Sequence, residues 1–418
     1  MDSDFTSEDV YFFNEIAEIN PPRTIKRGTV TKYVSMEAVE PRRKHVSNIE
    51  YRKYEGGSRF KNNDILFARI TPSLEHGKTC IVDFLEKGEI GAGSTEFIVI
   101  SSKDGKTIPD YVYYLTISDL VREPAIISMT GTSGRQRVDT DIFASIIAPI
   151  PHIGEQKAIA KILSDLDAKI ELNQKLNKTL EAIAQAIFKH WFIDFEYPNE
   201  EGKPYKSSGG EMVDSELGEI PKDWRVSNLG NELVTVLGGT PSKNIKDYWS
   251  NGNIPWINSG KVNEFRIMSP SAYITYKALE NSSTKIMPRG TTVLAITGAT
   301  LGKISRIETE MCANQSVVGI IGNELLPSEF VYFWIKNNIG LLISNQTGGA
   351  QQHINKENVN ELHILVPNKE IMVNYVKIVK PMFDRIAISS YEEDCLSKVR
   401  DSLLPKLMSG KIRVPLEE

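Results

Sequence analysis

Two segments of the chain carry apolar residues at the spacing of a helical seam. The first seam starts at Ile159 and runs to His190, and the second starts at Tyr375 and runs to Lys406. Both seams are interrupted by polar residues in the same middle heptad, as by Asn173 in the first. An average spacing of 3.5 residues predicts helices that pair as a coiled coil. A seam of this length also fits a helix that packs only on its own domain, so both interpretations stay open at this point.

Pro381 lies within the second helical segment. Proline is tolerated in the first turn of a helix but disrupts the interior. We therefore expect a short helix, a break near Ser164 and near Lys380, and then a long helix in each segment. Ile170 and Ile386 are expected to complete the seam where polar residues interrupt it.

The helical segments are part of a duplication that covers the whole chain. Thr130–Val138 (TGTSGRQRV) resembles Thr347–Ile354 (TGGAQQHI), and a constant offset of 216 residues aligns the copies from there onward. Two equivalent seams in one chain favour pairing with each other, antiparallel if a pseudo-twofold relates the halves. Roughly 30 paired residues at about 1.5 Å each would form a rod of about 45 Å. Such a rod would space two globular segments.

The globular segments contain runs of apolar and β-branched residues that predict strands. The predicted strands are Asp64–Ile70, Glu96–Ile100, Thr292–Thr297 and Ser316–Ile321. We expect an α/β (α+β) fold with two globular domains separated by an antiparallel coiled coil of two long helices. The expected boundaries are 1–150 for the first domain, 151–195 for its helical region, 196–223 for a linker, 224–366 for the second domain and 367–414 for the second helical region. The linker has eight acidic residues, three lysines and several prolines and glycines.

Composition narrows the class of protein. The chain has 418 residues, of which 40% are hydrophobic and 25% are charged, as in ordinary globular proteins. Three widely separated cysteines suggest a reducing compartment. No signal peptide and no apolar run long enough to span a membrane is recognised. The cytoplasm is the expected location.

The net charge of −5 conceals two basic stretches. Residues 22–78 contain 13 Lys and Arg against six Asp and Glu, and residues 240–306 contain nine against three. Aromatic residues are interleaved with these cations, which suits contacts with DNA phosphates and base edges. A solvated basic face is the alternative for either stretch alone, but its occurrence in both copies favours DNA. The candidate contacts are Arg42, Arg43, Lys44, Arg52, Arg69, Lys243, Lys261, Lys285 and Lys303.

The repeated glycine-containing loops supply further candidates. These are Arg135, Gln136 and Arg137 in the first copy and Gln351, Gln352 and His353 in the second. Their side chains suit DNA contacts or hydrogen bonds inside the domain. The internal role is favoured, because a loop shared by two domains with different targets should not itself set specificity.

The chain contains only incomplete matches to catalytic motifs. Gly298–Ile304 (GATLGKI) is one residue shorter than a phosphate-binding loop, and we expect a turn after a strand there. Asn20–Arg23 (NPPR) lacks the final aromatic residue of an amino-group methyltransferase signature. None of the six histidines has a partner at metal-ligand spacing. We therefore expect no catalytic residue, no metal ligand and no cofactor in this chain, and we expect Trp191 and Phe192 to pack the end of the first helix.

Several segments resemble the specificity subunits of type I restriction-modification systems. The resemblance covers nearly the whole chain and is carried by Pro149–Phe195, Leu403–Val414, Gly218–Leu229 (GEIPKDWRVSNL), Gly238–Ser242 (GGTPS), Ile254–Trp256 and the two glycine-containing loops. The first half has no clear counterpart of IPKDW and GGTPS, which leaves open how the chain enters that domain.

The resemblance implies a non-catalytic DNA-recognition subunit. Two target-recognition domains would each read one half of a bipartite double-stranded DNA target, and the helices would set the spacing and bind two methyltransferase (modification) subunits. Restriction and translocase subunits would then join. S-adenosylmethionine, ATP and magnesium would belong to those partners. The alternatives are a protein-binding scaffold with paired domains and a methyltransferase whose site escapes detection.

Overall fold

A computed structural model of the chain describes residues 10–132, 134–344 and 354–415. The chain divides into two compact units, one formed by residues up to Leu172 together with those from Cys395 onward, and the other by Asn173–Asp394. Each unit therefore contains one globular domain and a part of each of two long helices. In the described part of the chain, no helix is long and apolar enough to cross a membrane.

The first globular domain is built from short strands and short helices. Its strands are β1 Val10–Phe12, β2 Ala17–Ile19, β3 Val30–Val34, β4 Glu50–Lys53, β5 Ser58–Phe60, β6 Ile65–Ala68, β7 Thr79–Ile81, β8 Gly91–Gly93, β9 Phe97–Ser102 and β10 Ile147–Pro149. Its helices are α1 Phe13–Ile16, α2 Pro109–Ile117, α3 Asp119–Ile127 and α4 Thr140–Ala144, and the long helix α5 Ile153–Phe192 follows.

The second globular domain has the same kind of architecture. Its strands are β11 Met212–Ser215, β12 Gly218–Pro221, β13 Arg225–Asn228, β14 Val234–Leu237, β15 Ile254–Ile257, β16 Ala272–Ile274, β17 Thr292–Ala295, β18 Ile304–Arg306, β19 Cys312–Ala313, β20 Val317–Ile321 and β21 His363–Val366. Its helices are α6 Leu229–Glu232, α7 Tyr276–Glu280, α8 Ser328–Ser344 and α9 Lys356–Asn360, and the long helix is α10 Lys369–Met408. Single 3-10 turns occur at Lys246–Tyr248, Ser259–Asn263 and Gly298–Thr300.

Strand pairing repeats from one domain to the other. The order β2-β9-β6-β7 in the first corresponds to β14-β20-β17-β18 in the second, and β4-β3-β8 corresponds to β16-β15-β19. The pair β1-β10 likewise corresponds to β13-β21. The predicted internal repeat is confirmed, and it extends upstream to where sequence similarity fades. The chain enters both domains through the same order of elements, β1-α1-β2 and β13-α6-β14.

The four predicted strands are confirmed as the central strands β6, β9, β17 and β20. Each pair lies side by side and antiparallel, β6 with β9 and β17 with β20. All four are almost entirely buried, which explains why their apolar runs stood out in the sequence. The mixed helix and strand fold class is confirmed.

The predicted helix breaks are wrong. Both α5 and α10 continue without interruption for 40 residues, through Ser164 and through Pro381. Pro381 lies on the exposed side of α10, where water can bond the carbonyl that the missing N–H leaves free. Its neighbours Val379 and Phe383 are buried in the core of the second unit. Their packing offsets the cost of a proline in the helix interior.

The two long helices pack antiparallel within each unit. In the first unit, Arg400 of α10 bonds Asp167 of α5 at 2.7 Å, and Arg413, which follows the end of α10, bonds Glu155 near the start of α5 at 2.7 Å. The two helices therefore run in opposite directions. In the second unit, Asn173 bonds Glu392 at 2.8 Å, and Trp191 of α5 contacts Tyr375 of α10. The coiled-coil expectation for the two helical segments is borne out in both units.

The buried face of α5 differs from the predicted seam. Ile162 and Ile183 were expected inside but are exposed, whereas Leu163, Asp167 and Glu181 are buried. The two ends of α5 also pack against the globular domains. This packing determines which face of the helix is buried, so the buried face differs from the one that the heptad pattern predicts. The expectation that Ile170 and Ile386 fill the seam is confirmed, since both are buried.

The predicted packing of the end of α5 is also confirmed. Trp191 and Phe192 are buried in the core of the second unit, where Phe192 contacts Trp224 and Phe330. Residues in the acidic stretch 196–223 form the hairpin β11-β12, and Tyr197 stacks on Trp224. The domain boundaries drawn from the sequence stay a prediction.

Candidate DNA interface

The basic residues of the first domain lie in different environments. Arg52 is on the edge strand β4, where its guanidinium covers the ring of Tyr33 at 4.5 Å and bonds Glu50. Arg43 is half-buried and pairs with Glu40 at 2.7 Å. Arg42 is well exposed and lies 3.2 Å from Asp401 of α10. The side chains of Arg42 and Arg52 are therefore exposed, whereas that of Arg43 is only partly accessible.

Lys44 lies inside the first unit. It is only 6% exposed, and its Nζ lies 2.7 Å from Asp110 Oδ1 and donates to Ser164 Oγ at 2.7 Å. The ammonium also covers the ring of Tyr114. A buried lysine needs such partners to remain charged. Lys44 therefore joins α2 to α5 and does not present its charge to a ligand.

Arg69 is also tied into the fold. Its Nη2 donates to the carbonyl of Val138 at 3.1 Å, and its own backbone N–H donates to Glu96. It follows the central strand β6 and is half-buried. Its side chain thus supports the loop that follows Thr130 and is only partly available to a ligand.

The first glycine-containing loop divides into exposed and anchored residues. Arg137 forms a bidentate pair with Glu96, with its Nη2 2.6 Å from the carboxylate, and this hydrogen bond raises the pKa of Arg137. The backbone of Gln136 bonds Thr71 in both directions. Arg135 is exposed at the tip. The contacts support an internal role for Gln136 and Arg137. Gln351, Gln352 and His353 lie outside the described residues.

The candidate lysines of the second domain are mostly exposed. Lys243 lies beside a cleft that Trp249 and Trp256 line, with the two rings edge to face at 5.2 Å. Lys285 is exposed, and Lys261 pairs with Glu264 at 2.7 Å. Lys303 follows the turn after β17. Lys303 lines a cleft together with Glu264, the partner of Lys261, whereas Lys243 lines the cleft of the two tryptophans.

The cleft lined by Trp249 and Trp256, which we call the tryptophan cleft, depends on the close approach of the Gly239 backbone to Trp256. Gly239, from the GGTPS segment, accepts a hydrogen bond from Trp256 Nε1 at 3.0 Å. A side chain at Gly239 would place Cβ 2.4 Å from Ser283 Oγ and 2.6 Å from a backbone nitrogen, so only glycine fits. Lys246 also lines this cleft. The sequence placed Lys246 in a basic stretch but did not distinguish it, because only the fold shows that it faces the rings.

The two weak catalytic motifs form ordinary structure. Gly298–Thr300 is a single 3-10 turn after β17, as expected. In the NPPR segment, Arg23 forms a buried ion pair with Asp64, and Ser101 donates to the same carboxylate. Burial raises the pKa of Asp64, although these partners oppose the shift. Within the described ranges, no group of three potential metal ligands occurs.

Comparison with known proteins gives a consistent result. A family model for the type I restriction modification DNA specificity domain matches the chain twice, over residues 8–182 and 221–395. The type I restriction enzyme HindI specificity subunit of Haemophilus influenzae is 26% identical over 422 residues, covering 88% of this chain and 90% of the relative.

Two further similarities agree with these matches. The EcoR124I/EcoR124II specificity subunit of Escherichia coli is 28% identical over 303 residues, covering 71% of this chain and 68% of the relative. The crystal structure of a type I restriction-modification S subunit from M. genitalium covers 96% of this chain and 95% of its own, with a TM-score of 0.57 and 15% identity. At that identity the likeness concerns the fold.

The family model covers most of the chain, and its two matches coincide with the two copies of the repeated fold. The relatives are named as specificity subunits and match along most of their length. The chain therefore belongs to the type I restriction-modification DNA specificity family, and it is a specificity subunit with two recognition domains in tandem, a non-catalytic component that recognises DNA.

Proposed function

We propose that each recognition domain reads one half of a bipartite sequence in double-stranded DNA, and that α5 and α10 set the distance between the halves. The observation that carries this proposal is the repeat of the whole domain topology on two shared helices. Two copies of one fold with different surface residues suit two different half-sites.

The exposed cations supply affinity in this proposal. Contacts from Lys and Arg to phosphates are independent of sequence and dependent on salt, whereas contacts to base edges discriminate between sequences. We leave Lys44 out because it is buried. The proposed contacts are Arg42, Arg43, Arg52, Arg135, Lys243, Lys261, Lys285 and Lys303. The other sequence-based candidates are Arg69, Gln136 and Arg137, whose contacts favour a role in holding the loop, and Gln351, Gln352 and His353.

The helix pair is suited to the role of a spacer because buried polar contacts fix its register. Asn177 is buried and donates to Glu393 Oε1 at 2.7 Å and to Ser390 Oγ at 3.3 Å. Sliding one helix along the other would leave these groups unpaired in the seam, which polar seam residues are known to prevent. Inserting one heptad into both helices should lengthen the preferred gap; an unchanged gap would remove the spacer proposal.

The helices also offer surfaces for protein partners. Leu172 in the first unit and Ile388 and Tyr391 in the second are large apolar residues with exposed side chains. Exposed apolar residues on a helix favour a protein contact. We assign them to two modification subunits, with restriction and translocase subunits joining afterwards. S-adenosylmethionine, ATP and magnesium would be bound by those subunits, in the cytoplasm.

We propose these roles for the domains and helical regions with the boundaries expected from the sequence. Residues 1–150 and 224–366 would read DNA, 151–195 and 367–414 would form the spacer, and 196–223 would connect the two copies. The hairpin β11-β12 gives the connecting residues a fixed local structure.

A mobility-shift experiment tests the recognition proposal. The chain is reconstituted with its modification subunits and incubated with a pool of random duplexes, and the retained duplexes are sequenced. We expect two short conserved elements at a fixed separation. Retention of all duplexes equally would contradict sequence recognition, and transfer of labelled methyl groups by the isolated chain would contradict its non-catalytic role.

A further inference from the structure

One sheet of each domain, β4-β3-β8-β5 in the first and β16-β15-β19 in the second, has an equivalent edge strand. In the first domain, Tyr33 of β3 lies opposite Glu50 of the edge strand β4 and opposite Ala92 of β8. In the second domain, Trp256 of β15 lies opposite Ala272 of β16 and Cys312 of β19. In both cases one neighbour is antiparallel and the other parallel. Tyr33 and Trp256 therefore occupy the same position in the two sheets.

This correspondence places a tyrosine at the same position on both edge strands. The residue after Glu50 is Tyr51, opposite Lys32, and the residue after Ala272 is Tyr273, opposite Pro255. The sequence alignment at an offset of 216 does not reveal this match, because the two residues are 222 positions apart (273 − 51). Only the strand pairing aligns them.

Both tyrosines are unusually open to solvent. Tyr51 is 72% exposed and Tyr273 is 50% exposed. In the part of the chain that the structure describes, neither hydroxyl has a hydrogen-bond partner. Because each tyrosine is exposed in its own domain, it contributes little to the hydrophobic core of that domain. Its occurrence at the same exposed position in two diverged copies has no explanation in packing.

Both edge strands have lysines beside them. Side chains alternate along a strand, so Tyr51 shares its face of β4 with the exposed Lys53. By the same alternation Tyr273 points away from Ala272, and the tryptophan cleft that Ala272 lines with Lys243 and Lys246 lies on the other face of β16. Cations therefore border both edge strands, which suits a polyanion. β4 and β16 are the outer strands of the antiparallel pairs β3-β4 and β15-β16 at the sheet edges, and the major groove admits two antiparallel strands.

We infer that Tyr51 and Tyr273 are equivalent contacts to the sugar-phosphate backbone of duplex DNA, and that they position each sheet in the groove without reading bases. This inference rests on the proposed function. A residue shared by both domains cannot distinguish two different half-sites, so it belongs to the backbone contacts. Discrimination would come from exposed neighbours that differ between the copies, such as Arg52 in the first domain, whose counterpart in the second, Ile274, is buried.

The test uses the complex of the full chain with its modification subunits. Fluorescence anisotropy measures the affinity for a duplex selected from the random pool by the wild-type complex, and for the same duplex with both half-sites scrambled. The variants are Tyr51→Phe, Tyr273→Phe, the corresponding alanine variants and the double Tyr51→Ala/Tyr273→Ala. Tyr276→Ala is the matched control, because Tyr276 is 62% exposed but lies on α7 and not on the edge strand.

We expect each alanine variant to bind the selected and the scrambled duplex roughly tenfold more weakly, with the ratio of the two affinities unchanged. The double variant should lose about a hundredfold, since distant sites add. The phenylalanine variants should lose nearly as much, because the hydroxyl makes the contact. The phenylalanine variants keep the ring, so they remain informative if an alanine variant unfolds.

Two results overturn the inference while leaving the proposed function intact. One is unchanged affinity in the phenylalanine and alanine variants, and the other is a loss confined to the selected duplex. If the wild-type complex does not prefer the selected duplex over the scrambled one, it is the proposed function that fails.

Discussion

The buried ion pair between Asp167 of α5 and Arg400 of α10 permits a quantitative prediction for the first unit. Arg400 Nη1 lies 2.7 Å from Asp167 Oδ1, and the two side chains are only 9% and 7% exposed. The other oxygen of Asp167 accepts a hydrogen bond from the hydroxyl of Tyr114 at 2.7 Å. Burial lowers the pKa of Arg400, but Asp167 and Asp401 outweigh it and raise that pKa. The pair thus joins both long helices to α2.

The change to make is Arg400→Met, which leaves the Asp167 carboxylate buried without a cation. Removing one partner of a buried pair costs about 3–5 kcal/mol of unfolding free energy. Replacing both partners with apolar residues, as in Asp167→Leu/Arg400→Met, removes the uncompensated charge. The Tyr114 hydroxyl then loses a partner, at about 1 kcal/mol, and Ser164 Oγ is within 3.4 Å to replace it. Asp401 loses Arg400 in both variants, but its side chain is 41% exposed and keeps Arg42 as a partner.

Differential scanning calorimetry of the full chain measures the effect. For a unit of this size, 1 kcal/mol corresponds to about 2–4 °C, so Arg400→Met should lower the melting temperature of the first unit by roughly 6–20 °C. The double variant should recover most of that loss. Asp165→Ala is the control, because Asp165 pairs with Lys161 at the surface, where the side chains are 67% and 75% exposed. Its cost should stay below about 1 kcal/mol.

The reasoning would be refuted by a double variant as unstable as Arg400→Met alone. That result would mean that the cost comes from lost packing and not from the unpaired charge. A loss no larger than that of the surface control would show that water reaches Asp167 in the folded chain.

Three further predictions concern other parts of the molecule. His45 Nδ1 lies 2.9 Å from Asp83 Oδ2, and the Asp83 carboxylate raises the pKa of His45, although burial opposes it. His45→Gln should therefore lower the melting temperature below about pH 6.5 and have less effect as the pH rises through the raised pKa of the folded state; an equal loss at every pH would contradict the assignment. Asn177→Ala should cost about 1–3 kcal/mol in urea unfolding, because it leaves the seam carboxylate of Glu393 with one hydrogen bond fewer, and no change would mean that the polar contacts do not hold the register. Gly239→Ala should cost about 1–3 kcal/mol through overpacking and shift the tryptophan fluorescence, and an unchanged emission would show that the cleft of Trp256 tolerates a side chain.

Local patterns were sufficient to predict the elements of this fold. Strands β6, β9, β17 and β20 are buried on both faces, so their sequences are continuous apolar runs that no other element explains. The long helices were predicted because their apolar periodicity extends over many turns. The duplication at 216 residues was visible because the helical segments of the two copies diverged least. These are properties of the chain that do not depend on distant contacts.

The same patterns failed where a choice depended on distant contacts. Pro381 was expected in the first turn of a helix that follows a break near Lys380, but its exposed position and the burial of Val379 and Phe383 allow α10 to continue through it. Lys44 was a candidate DNA contact together with Arg42 and Arg43, but it is buried in the unit, where its ammonium group contacts Asp110 and Ser164. Which acidic residue lies beside which basic residue depends on the fold, so it cannot be read from local sequence patterns.

The sequence by itself determined the duplication, the elements of each copy and the presence of two basic stretches. The tertiary structure decided which face of α5 is buried, which cations remain accessible and which residues of the two copies correspond. The equivalence of Tyr51 and Tyr273 depends on strand pairing between segments that are distant along the chain. Periodicity and composition determine secondary structure through residues that are close along the chain. Strand pairing and side-chain burial depend instead on the packing energy of the whole domain.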